Sequence, residues 1–449
     1  MSDNPKLLSV ADRKASGRAR RARMPRGAHA EWTAPVGRRD PVATLVENGA
    51  NRIAALLPLR YGRMSVDAFT FLRGAASIMA ADLGSCPDSG IRAQLCGDAH
   101  IGNFGAFAGG DGVALYDVND FDETLPGPFE WDVKRLAASL VVCGRVQGLA
   151  DKALRALARR AVQAYRCEIA QLSGVAPFDA WRSRIVLDHA IDAIGDRALR
   201  KRIRRRMDAA VTSSQDGYSH LVSPDGGLRL PERPPAIFRL GAHERTAHDA
   251  FAAYLGSLRE EVRVLMERYR LRDVAFKAVG VGSVGTFCAI GLFANAEGDK
   301  LLLQLKQATA SVLAPFVGLS VYPQHGERVV VGQRMLQAEP DLFLGWTRSG
   351  ERDFYVRRLK DTRLAEIGAR IEAGSLPFAA RLAGRTLARA HARAGDDAVI
   401  AGYLGEGDSF DAAVAQWALA YAEQTSRDFT RFKAAISAGE IEATIETKS

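Results

Sequence analysis

The chain has 449 residues, of which 47% are hydrophobic and 25% charged, and its formal net charge is +9. That length and composition predict one large or two moderate hydrophobic cores. We expect neither membrane insertion nor secretion, because no apolar run approaches a membrane span and the basic N-terminal segment has no hydrophobic stretch. The five cysteines are dispersed without a CxxC pair, which is typical of reduced thiols and favours a cytoplasmic protein.

The first 40 residues are strongly basic, with ten Lys or Arg against four acidic residues. We expect this segment to be a disordered, solvated tail. Such a tail can make weak electrostatic contacts with nucleic acid. We predict no other nucleic-acid contact and no membrane partner.

Helical periodicity predicts helices at Pro41–Ile53 and Ser65–Leu83. Arg60, Arg63 and Arg73 lie between or within these helices. Since a guanidinium group pairs well with planar anions, the three arginines are candidates to bind a phosphate or carboxylate of a substrate. Pairing with the many acidic residues nearby is an equal alternative.

An acidic motif follows, with Asp98 and Asn103 in one loop and Asp120 and Asp122 at the end of a predicted β-hairpin. This order suits phosphoryl transfer, in which one carboxylate orients a hydroxyl, an amide side chain holds a metal, and a second carboxylate bridges the metal to phosphate. A structural turn explains the glycines of the hairpin, but it does not explain the acidic pair at the strand end. His100 lies inside the motif and is a candidate to position the loop or to contact the substrate.

A glycine-rich turn with the pattern G-x-G-x-x-G lies at residues 280–285. On its own the pattern is shared by dinucleotide-binding and kinase-type loops. The β-branched and aromatic residues of Thr286–Phe293 predict a strand after the turn, whereas a dinucleotide-binding turn begins a helix. The next predicted strand, Leu301–Lys306, ends in a lysine, and this order is typical of the nucleotide-covering hairpin of protein kinases. An ordinary solvated lysine at the strand end is the alternative for Lys306.

Two further elements are predicted after this hairpin. A helix at Gly326–Gln337 carries Glu327 toward Lys306, as a kinase-like fold requires, although a glutamate in an exposed first turn needs no function. A strand at Asp353–Leu359 leads into a hinge near the adenine. The remainder of the chain, to about Lys433, is predicted to be helical.

The segment Gly97–Asn103 resembles the catalytic loop of aminoglycoside phosphotransferases and choline-kinase-like enzymes. Asn119–Asp122 resembles their metal-binding motif, and Phe129–Asp132 resembles a downstream motif whose Asp begins a helix. The resemblance implies ATP and Mg²⁺ as cofactors, with Asp98 as catalytic base and with Asn103, Asp120 and, as a further candidate, Asp122 as metal ligands. It also implies a set of residues around the nucleotide, namely Gly280, Gly282, Ser283, Gly285, Lys306 and Glu327.

The motifs occur in a different order from those enzymes, because the glycine-rich turn follows the catalytic loop instead of preceding it. A circular permutation reconciles this order, since chain termini are commonly exposed and close together. Ala380–His391 resembles the helix that normally precedes the catalytic loop, and a permuted chain needs that helix near the C-terminus. We therefore predict an α+β, protein-kinase-like fold of two lobes, circularly permuted, with a small antiparallel sheet lobe and a large helical lobe.

Almost the whole chain is also similar to a bacterial family known only as domain of unknown function 2252. Five segments carry this similarity, namely Arg60–Met64, Phe71–Ala75, Gly97–Gly105, Asp117–Thr124 and Ala388–Asp396. The predicted parts of the chain are a basic tail (1–40), a helical lobe with the catalytic and metal loops (41–215), a connection (216–240), the sheet lobe (241–360), and C-terminal helices that complete the helical lobe (361–449).

Three functions are compatible with these motifs. The first is an ATP- and Mg²⁺-dependent phosphotransferase that acts on a hydroxyl of an unknown, small-molecule acceptor, with protein acceptors and nucleotidyl transfer left open. The second is a metal-dependent phosphohydrolase that uses the acidic cluster alone. The third is a non-catalytic nucleotide-binding protein.

Overall fold

The computed structural model describes residues 7–215, 227–278, 280–359 and 373–446. These residues form a mixed α+β structure with small antiparallel sheets and a larger helical part, which confirms the predicted class. Residues 216–226 of the predicted connection and the predicted hinge after Leu359 lie outside the described residues.

The helices of the first half are α1 (Val10–Ala19), α2 (Pro41–Gly49), α3 (Leu57–Met64), α4 (Ala68–Gly74), α5 (Ala76–Gly84), α6 (Glu130–Val146), α7 (Asp151–Leu172), α8 (Pro177–Arg182), α9 (Leu187–Asp192) and α10 (Arg197–Gln215). Two aspartates fix the starts of the helices near the predicted arginine site. Asp40 accepts hydrogen bonds from the first free backbone amides of α2, and Asp67 forms a capping box with Thr70 at the start of α4.

The helices of the second half are α11 (Gly241–Tyr254), α12 (Glu260–Met266), α13 (Ala314–Val317), α14 (His325–Leu336), α15 (Leu376–Ala394), α16 (Asp397–Leu404) and α17 (Ser409–Ser437). In the described parts of the chain, we find no helix with both the length and the apolar character that a membrane crossing requires.

The strands are β1 (Arg92–Leu95), β2 (Phe104–Ala108), β3 (Ala114–Val118), β4 (Leu125–Pro128), β5 (Ile237–Phe238), β6 (Arg270–Lys277), β7 (Cys288–Ala294), β8 (Lys300–Ala308), β9 (Gly345–Ser349) and β10 (Arg352–Arg358). The largest sheet of the described residues is antiparallel and has the strand order β5-β6-β7-β8-β10-β9. Two small antiparallel pairs, β1 with β4 and β2 with β3, carry the acidic motif within the helical part.

One hydrophobic core joins helices from distant parts of the chain. Leu140 of α6 and Leu157 of α7 belong to the same buried cluster as Leu387 of α15 and Trp417 of α17. Helix α6 lies at the centre, because all its residues from Glu130 to Gly144 are buried. The C-terminal helices therefore pack against the elements that hold the acidic motif, although about 250 residues separate them.

The large sheet has a core of its own. Helix α11 covers one face, where Phe251 and Tyr254 pack with Phe276, Phe287 and Phe354 of the sheet region. This face is aromatic, and several of its rings meet edge to face. This core packs α11 against the sheet that carries the glycine turn and Lys306.

The prediction of a disordered tail is wrong for residues 7–40. Helix α1 begins with a capping box at Ser9 and packs against α16 so closely that the two backbones touch. A Cβ on Gly17 would lie 2.0 Å from the carbonyl oxygen of Val399, and one on Gly402 would lie 2.1 Å from that of Lys14. The basic charge is also used structurally, because Arg21 and Arg26 donate hydrogen bonds to the terminal carbonyl groups of α16.

Candidate functional site

A cavity of about 70 Å³ lies where α3–α5, the acidic motif and the glycine turn between β6 and β7 meet. Its polar lining contains predicted site residues from all three regions, namely Arg60, Arg73, Asp98, Asn103, Asp120, Asp122, Gly282 and Ser283. Asn48, Arg52, Ser77, Glu123, Thr286 and Gln307 also line it. The fold therefore brings the arginines, the acidic motif and the glycine turn to one place.

Asp98 is held in an ion pair at the floor of the cavity. The Nε of Arg135 donates to Oδ1 of Asp98 at 2.8 Å, and Nη2 of Arg135 lies 2.7 Å from the same oxygen. Burial raises the pKa of Asp98, and the neighbouring guanidinium of Arg135 opposes that rise. Asn103 lies beside it, since the Asn103 Nδ2 donates to the backbone carbonyl of Asp98 at 2.7 Å.

The loop that carries Asp98 is fixed by Asp132 in the first turn of α6. The Asp132 carboxylate accepts hydrogen bonds from the backbone amides of Cys96 at 2.8 Å and Gly97 at 3.1 Å. It also lies 3.3 Å from Nε2 of His391, whose Nδ1 meets the hydroxyl of Tyr165 at 2.8 Å. Asp132 is therefore a positioning residue for the loop.

His100 does not line the cavity, although it was a predicted catalytic candidate. Its side chain is buried, its ring meets Phe69 edge to face, and its Nε2 is 3.7 Å from Oδ2 of Asp98. Burial, with the charges of Arg73 and Arg135, lowers the pKa of His100 well below its ordinary value. We therefore assign His100 to packing and loop position, and not to substrate contact.

Lys306 joins the sheet to the acidic motif. Its side chain is only 1% exposed, which excludes the alternative of a solvated strand-end lysine. Nζ donates to Oδ2 of Asp122 at 2.7 Å and lies 3.5 Å from Oδ1 of Asp120. Burial alone would lower the pKa of Lys306, but the two carboxylates outweigh burial and raise the pKa well above its ordinary value. The hydroxyl of Tyr355 donates to the other Asp122 oxygen at 2.5 Å.

The predicted approach of Glu327 to Lys306 is wrong. Both ion-pair partners of Lys306 are aspartates of the acidic motif, and Glu327 is not part of the cavity wall. The adjacent residue of α14 faces the motif instead. The buried Arg328 donates to the backbone carbonyls of Asp122 and Thr124. A helix turns by about 100° per residue, so Arg328 and Glu327 cannot face the same direction.

The glycine turn is attached to the segment after α2. Arg52 donates from Nη1 to the carbonyl oxygens of Gly282 and Val284, both at 2.7 Å, and the amide of Ile53 donates to Gly285. Gly280 and Gly285 have φ angles of +65° and +89°, which only glycine adopts readily. Gly282 and Ser283 reach the cavity, whereas Gly280 and Gly285 shape the turn behind it.

Arg63 does not belong to the cavity, unlike Arg60 and Arg73. Its guanidinium pairs with Glu446 at 2.8 Å and donates to the carbonyl of Gly280 at 2.9 Å. The third arginine of the cavity is Arg52. The sequence did not indicate that Arg52 belongs to the site. The G-x-G-x-x-G pattern gave no sign of a partner more than 200 residues earlier in the chain.

Glu123 is a further wall residue. Its Oε2 accepts a hydrogen bond from the backbone amide of Val312 at 2.7 Å. Burial raises the pKa of Glu123 to about 7, and the negative charges of Asp122 and Asp98 add to that effect. Glu123 therefore exchanges its proton near neutral pH, which is uncommon for a carboxylic acid.

The donor set agrees with the predicted Mg²⁺ in part. Within the described ranges there is no group of three or more His, Cys, Asp or Glu arranged to hold a metal. Mg²⁺ commonly takes only one or two protein ligands and completes its shell with water and phosphate oxygens. Asn103 and Asp120 fit that requirement, because Asn103 keeps Oδ1 for a cation while Nδ2 is bonded, and the Asp120 side chain is 31% exposed. Asp122 fits less well, since both its oxygens are engaged by Lys306 and Tyr355.

The chain belongs to a bacterial protein family. The sequence profile of the family described as "uncharacterized protein conserved in bacteria (DUF2252)" matches residues 52–435, which confirms the predicted family. Comparison with curated proteins and with solved structures gives no match.

Three important residues escaped the sequence-based site prediction. The first two are Asp132, which was noted only as the start of a helix, and Arg135, which lies one turn later in α6. The third is Arg52, which lies in a short segment without a motif. The ion pair of Arg135 with Asp98 depends on how α6 packs under the loop, and local spacing does not show that contact.

Proposed function

We propose that the protein is a kinase-like phosphotransferase that transfers a phosphoryl group from ATP to a hydroxyl of a small-molecule acceptor. We also propose that its fold is a permuted kinase-like arrangement, that it binds the nucleotide and Mg²⁺, and that it is located in the cytoplasm. The five cysteines are all free, as in a reducing compartment.

One observation supports this proposal most strongly. The ion pair between Lys306 and Asp122 joins residues 184 positions apart, and Asp122 lines the same cavity as Asp98 and Gly282. Phosphoryl transfer needs a base, a metal-binding carboxylate, a lysine and a glycine turn in one place. A hydrolase that used the acidic cluster alone would not need the lysine or the glycine turn.

The chemistry of transfer follows from these positions. The oxygen of the acceptor hydroxyl would bond to the γ-phosphorus, and the free Oδ2 of Asp98 would accept the proton of that hydroxyl. The bond from the γ-phosphorus to the β,γ-bridging oxygen would break at the same time, and ADP would leave with that oxygen. Arg135 holds Asp98 in one orientation, so the carboxylate needs little reorganisation during the step.

Charge in the cavity would be balanced by both protein and metal. Asn103 and Asp120 would hold Mg²⁺, which would supply positive charge to offset that of the phosphates. Lys306 would contact the same phosphates from the sheet side, and the turn at Gly282 and Ser283 would cover them. A volume of about 70 Å³ corresponds to about five to seven waters, since one water needs about 10–15 Å³ on this measure. The nucleoside would lie outside the cavity.

The test is ADP formation in a screen of hydroxyl-bearing small molecules, with wild type and Asp98→Asn. We expect Asp98→Asn to lower turnover about 100-fold or more, as for loss of a general base, while ATP binding is retained. Asp111→Asn is the matched control, because Asp111 lies in the exposed turn of the β2–β3 hairpin. Full turnover by Asp98→Asn would contradict the proposed base. Hydrolysis of phosphate esters without ATP would favour the phosphohydrolase.

A further inference from the structure

The arginine side of the cavity holds buried donors without hydrogen-bond partners. Arg60 is 1% exposed, and its Nη2 donates to the carbonyl of Gly74 at 2.8 Å. Among the described residues, no hydrogen-bond partner lies near Nε and Nη1 of Arg60, Nε of Arg52, Nε of Arg73 or the hydroxyl of Ser77. All four side chains line the same cavity. Buried polar groups are nearly always satisfied, so these donors call for ordered water or a bound ligand in the cavity.

The charges of these arginines are also unpaired within the described residues. No carboxylate lies within 4.0 Å of Arg52, Arg60 or Arg73 in those ranges, although Arg52 and Arg60 are close enough to repel each other. The carboxylates across the cavity already have cationic partners, Arg135 for Asp98 and Lys306 for Asp122. Burying unpaired guanidinium groups is costly, and an anion in the cavity would offset that cost.

We infer that Arg52, Arg60, Arg73 and Ser77 form a site for a phosphate group of the acceptor, so that the acceptor is an organic phosphate with a free hydroxyl. This inference rests on the proposed function for the reaction, but the anion site itself does not depend on it. Guanidinium groups that converge with a hydroxyl match the oxygens of a phosphate.

The position of Arg73 favours the acceptor over the nucleotide. A Cβ on Gly102, in the loop of Asp98, would lie 3.5 Å from Nε of Arg73. Among the carboxylates that attract the Arg73 guanidinium, Asp98 has a larger effect than Asp67 or Asp120. The lysine that would contact the nucleotide phosphates is bonded instead to Asp122 and lies 3.5 Å from Asp120. A phosphate on the arginine side would therefore place the rest of the acceptor next to the base.

Inorganic phosphate is the probe for this site. Thermal unfolding and calorimetry are measured on the full chain with phosphate, and with chloride at the same ionic strength. The wild type is expected to gain stability with rising phosphate concentration but not with chloride, because a ligand that binds only the folded state stabilises it. Absence of any phosphate-specific effect would overturn the inference, whether or not the protein binds ATP.

Substitutions then locate the anion. Arg73→Met and Arg60→Gln are expected to weaken phosphate binding at least tenfold, and Arg63→Gln, from the same helix as Arg60, serves as the control. Without phosphate, Arg73→Met is expected to unfold at the same temperature as wild type or higher, because it removes an unpaired buried charge. If Arg73 were only structural, the variant would unfold earlier and would still respond to phosphate, and that result would overturn the inference.

A last comparison separates the two sources of phosphate. The titration is repeated with a non-hydrolysable ATP analogue and Mg²⁺ at saturation. Phosphate binding that persists in this complex supports an acceptor site. Competition between phosphate and the analogue would assign the arginines to the nucleotide and overturn the acceptor site, while leaving the proposed function intact.

Discussion

Asp132 holds the loop of Asp98 through backbone contacts, and so its carboxylate is as important to the site as the residues that line the cavity. Two backbone amides of the loop donate to it, and His391 contacts it from α15. A buried carboxylate with several donors is costly to alter, because each lost bond leaves a donor unsatisfied.

Asp132→Asn is expected to lower the free energy of unfolding by about 1–3 kcal/mol, because an amide oxygen cannot accept all of these hydrogen bonds. Urea denaturation measures this change. Asp151→Asn is the control, since Asp151 is the first-turn acid of α7 and is exposed. Equal stability of the two variants would contradict the positioning role of Asp132.

Glu123 makes the stability of the protein depend on pH near neutrality. Its pKa is raised from 4.5 to about 7, so the folded protein binds its proton more tightly than the unfolded chain. The stability from this proton is complete below about pH 4.5 and is lost as the pH rises through about 7.

Glu123→Gln is therefore expected to be more stable than wild type at pH 8, by about 1–3 kcal/mol, and equal to it at pH 4.5. Glutamine cannot ionise and still offers an oxygen to the amide of Val312. Denaturation at both pH values checks this, with the exposed Glu351→Gln as control. A difference that does not change with pH would contradict the raised pKa.

At the scale of elements, the contact between α1 and α16 ties the N-terminal segment to the helical part. Gly402 allows this contact, because a Cβ there would lie 2.1 Å from the carbonyl oxygen of Lys14. The backbones would have to separate to admit even a methyl group.

Gly402→Ala is expected to lower the free energy of unfolding by about 1–3 kcal/mol, as for an overpacked core. The control is Gly407→Ala, because a Cβ on Gly407 meets nothing within 4 Å. Chemical denaturation gives both values. If Gly402→Ala matched the control, α1 would not be packed as described.

The elements also show what sequence could and could not predict. The strand after the glycine turn followed from β-branched and aromatic residues, and Gly282, Asp98 and Asp120 line one cavity as their motifs implied. The disordered tail was a wrong prediction because charge counting does not reveal carbonyl groups that arginines can reach. Glu327 was wrong because spacing predicts a helix better than it predicts the direction in which each residue faces.

At the scale of the whole molecule, the cavity depends on segments that are far apart in the chain. The cavity is lined by residues from α3–α5, from the acidic motif and from the sheet region. The C-terminal helices share a hydrophobic core with the acidic motif. The sequence predicted which motifs would meet, since their chemistry is complementary. It could not predict Arg52 and Arg135, because their partners are set by packing.

The most direct test of this account is calorimetric binding of ATP with and without Mg²⁺. Wild type, Lys306→Met and Asp120→Asn are compared, with Lys300→Met as an exposed control at the start of the same strand. We predict Mg²⁺-dependent binding that both site substitutions weaken at least tenfold and that the control leaves unchanged, because the sheet and the acidic motif would share one nucleotide. No binding by folded wild type, or binding that ignores both Mg²⁺ and the two substitutions, would contradict the kinase-like function.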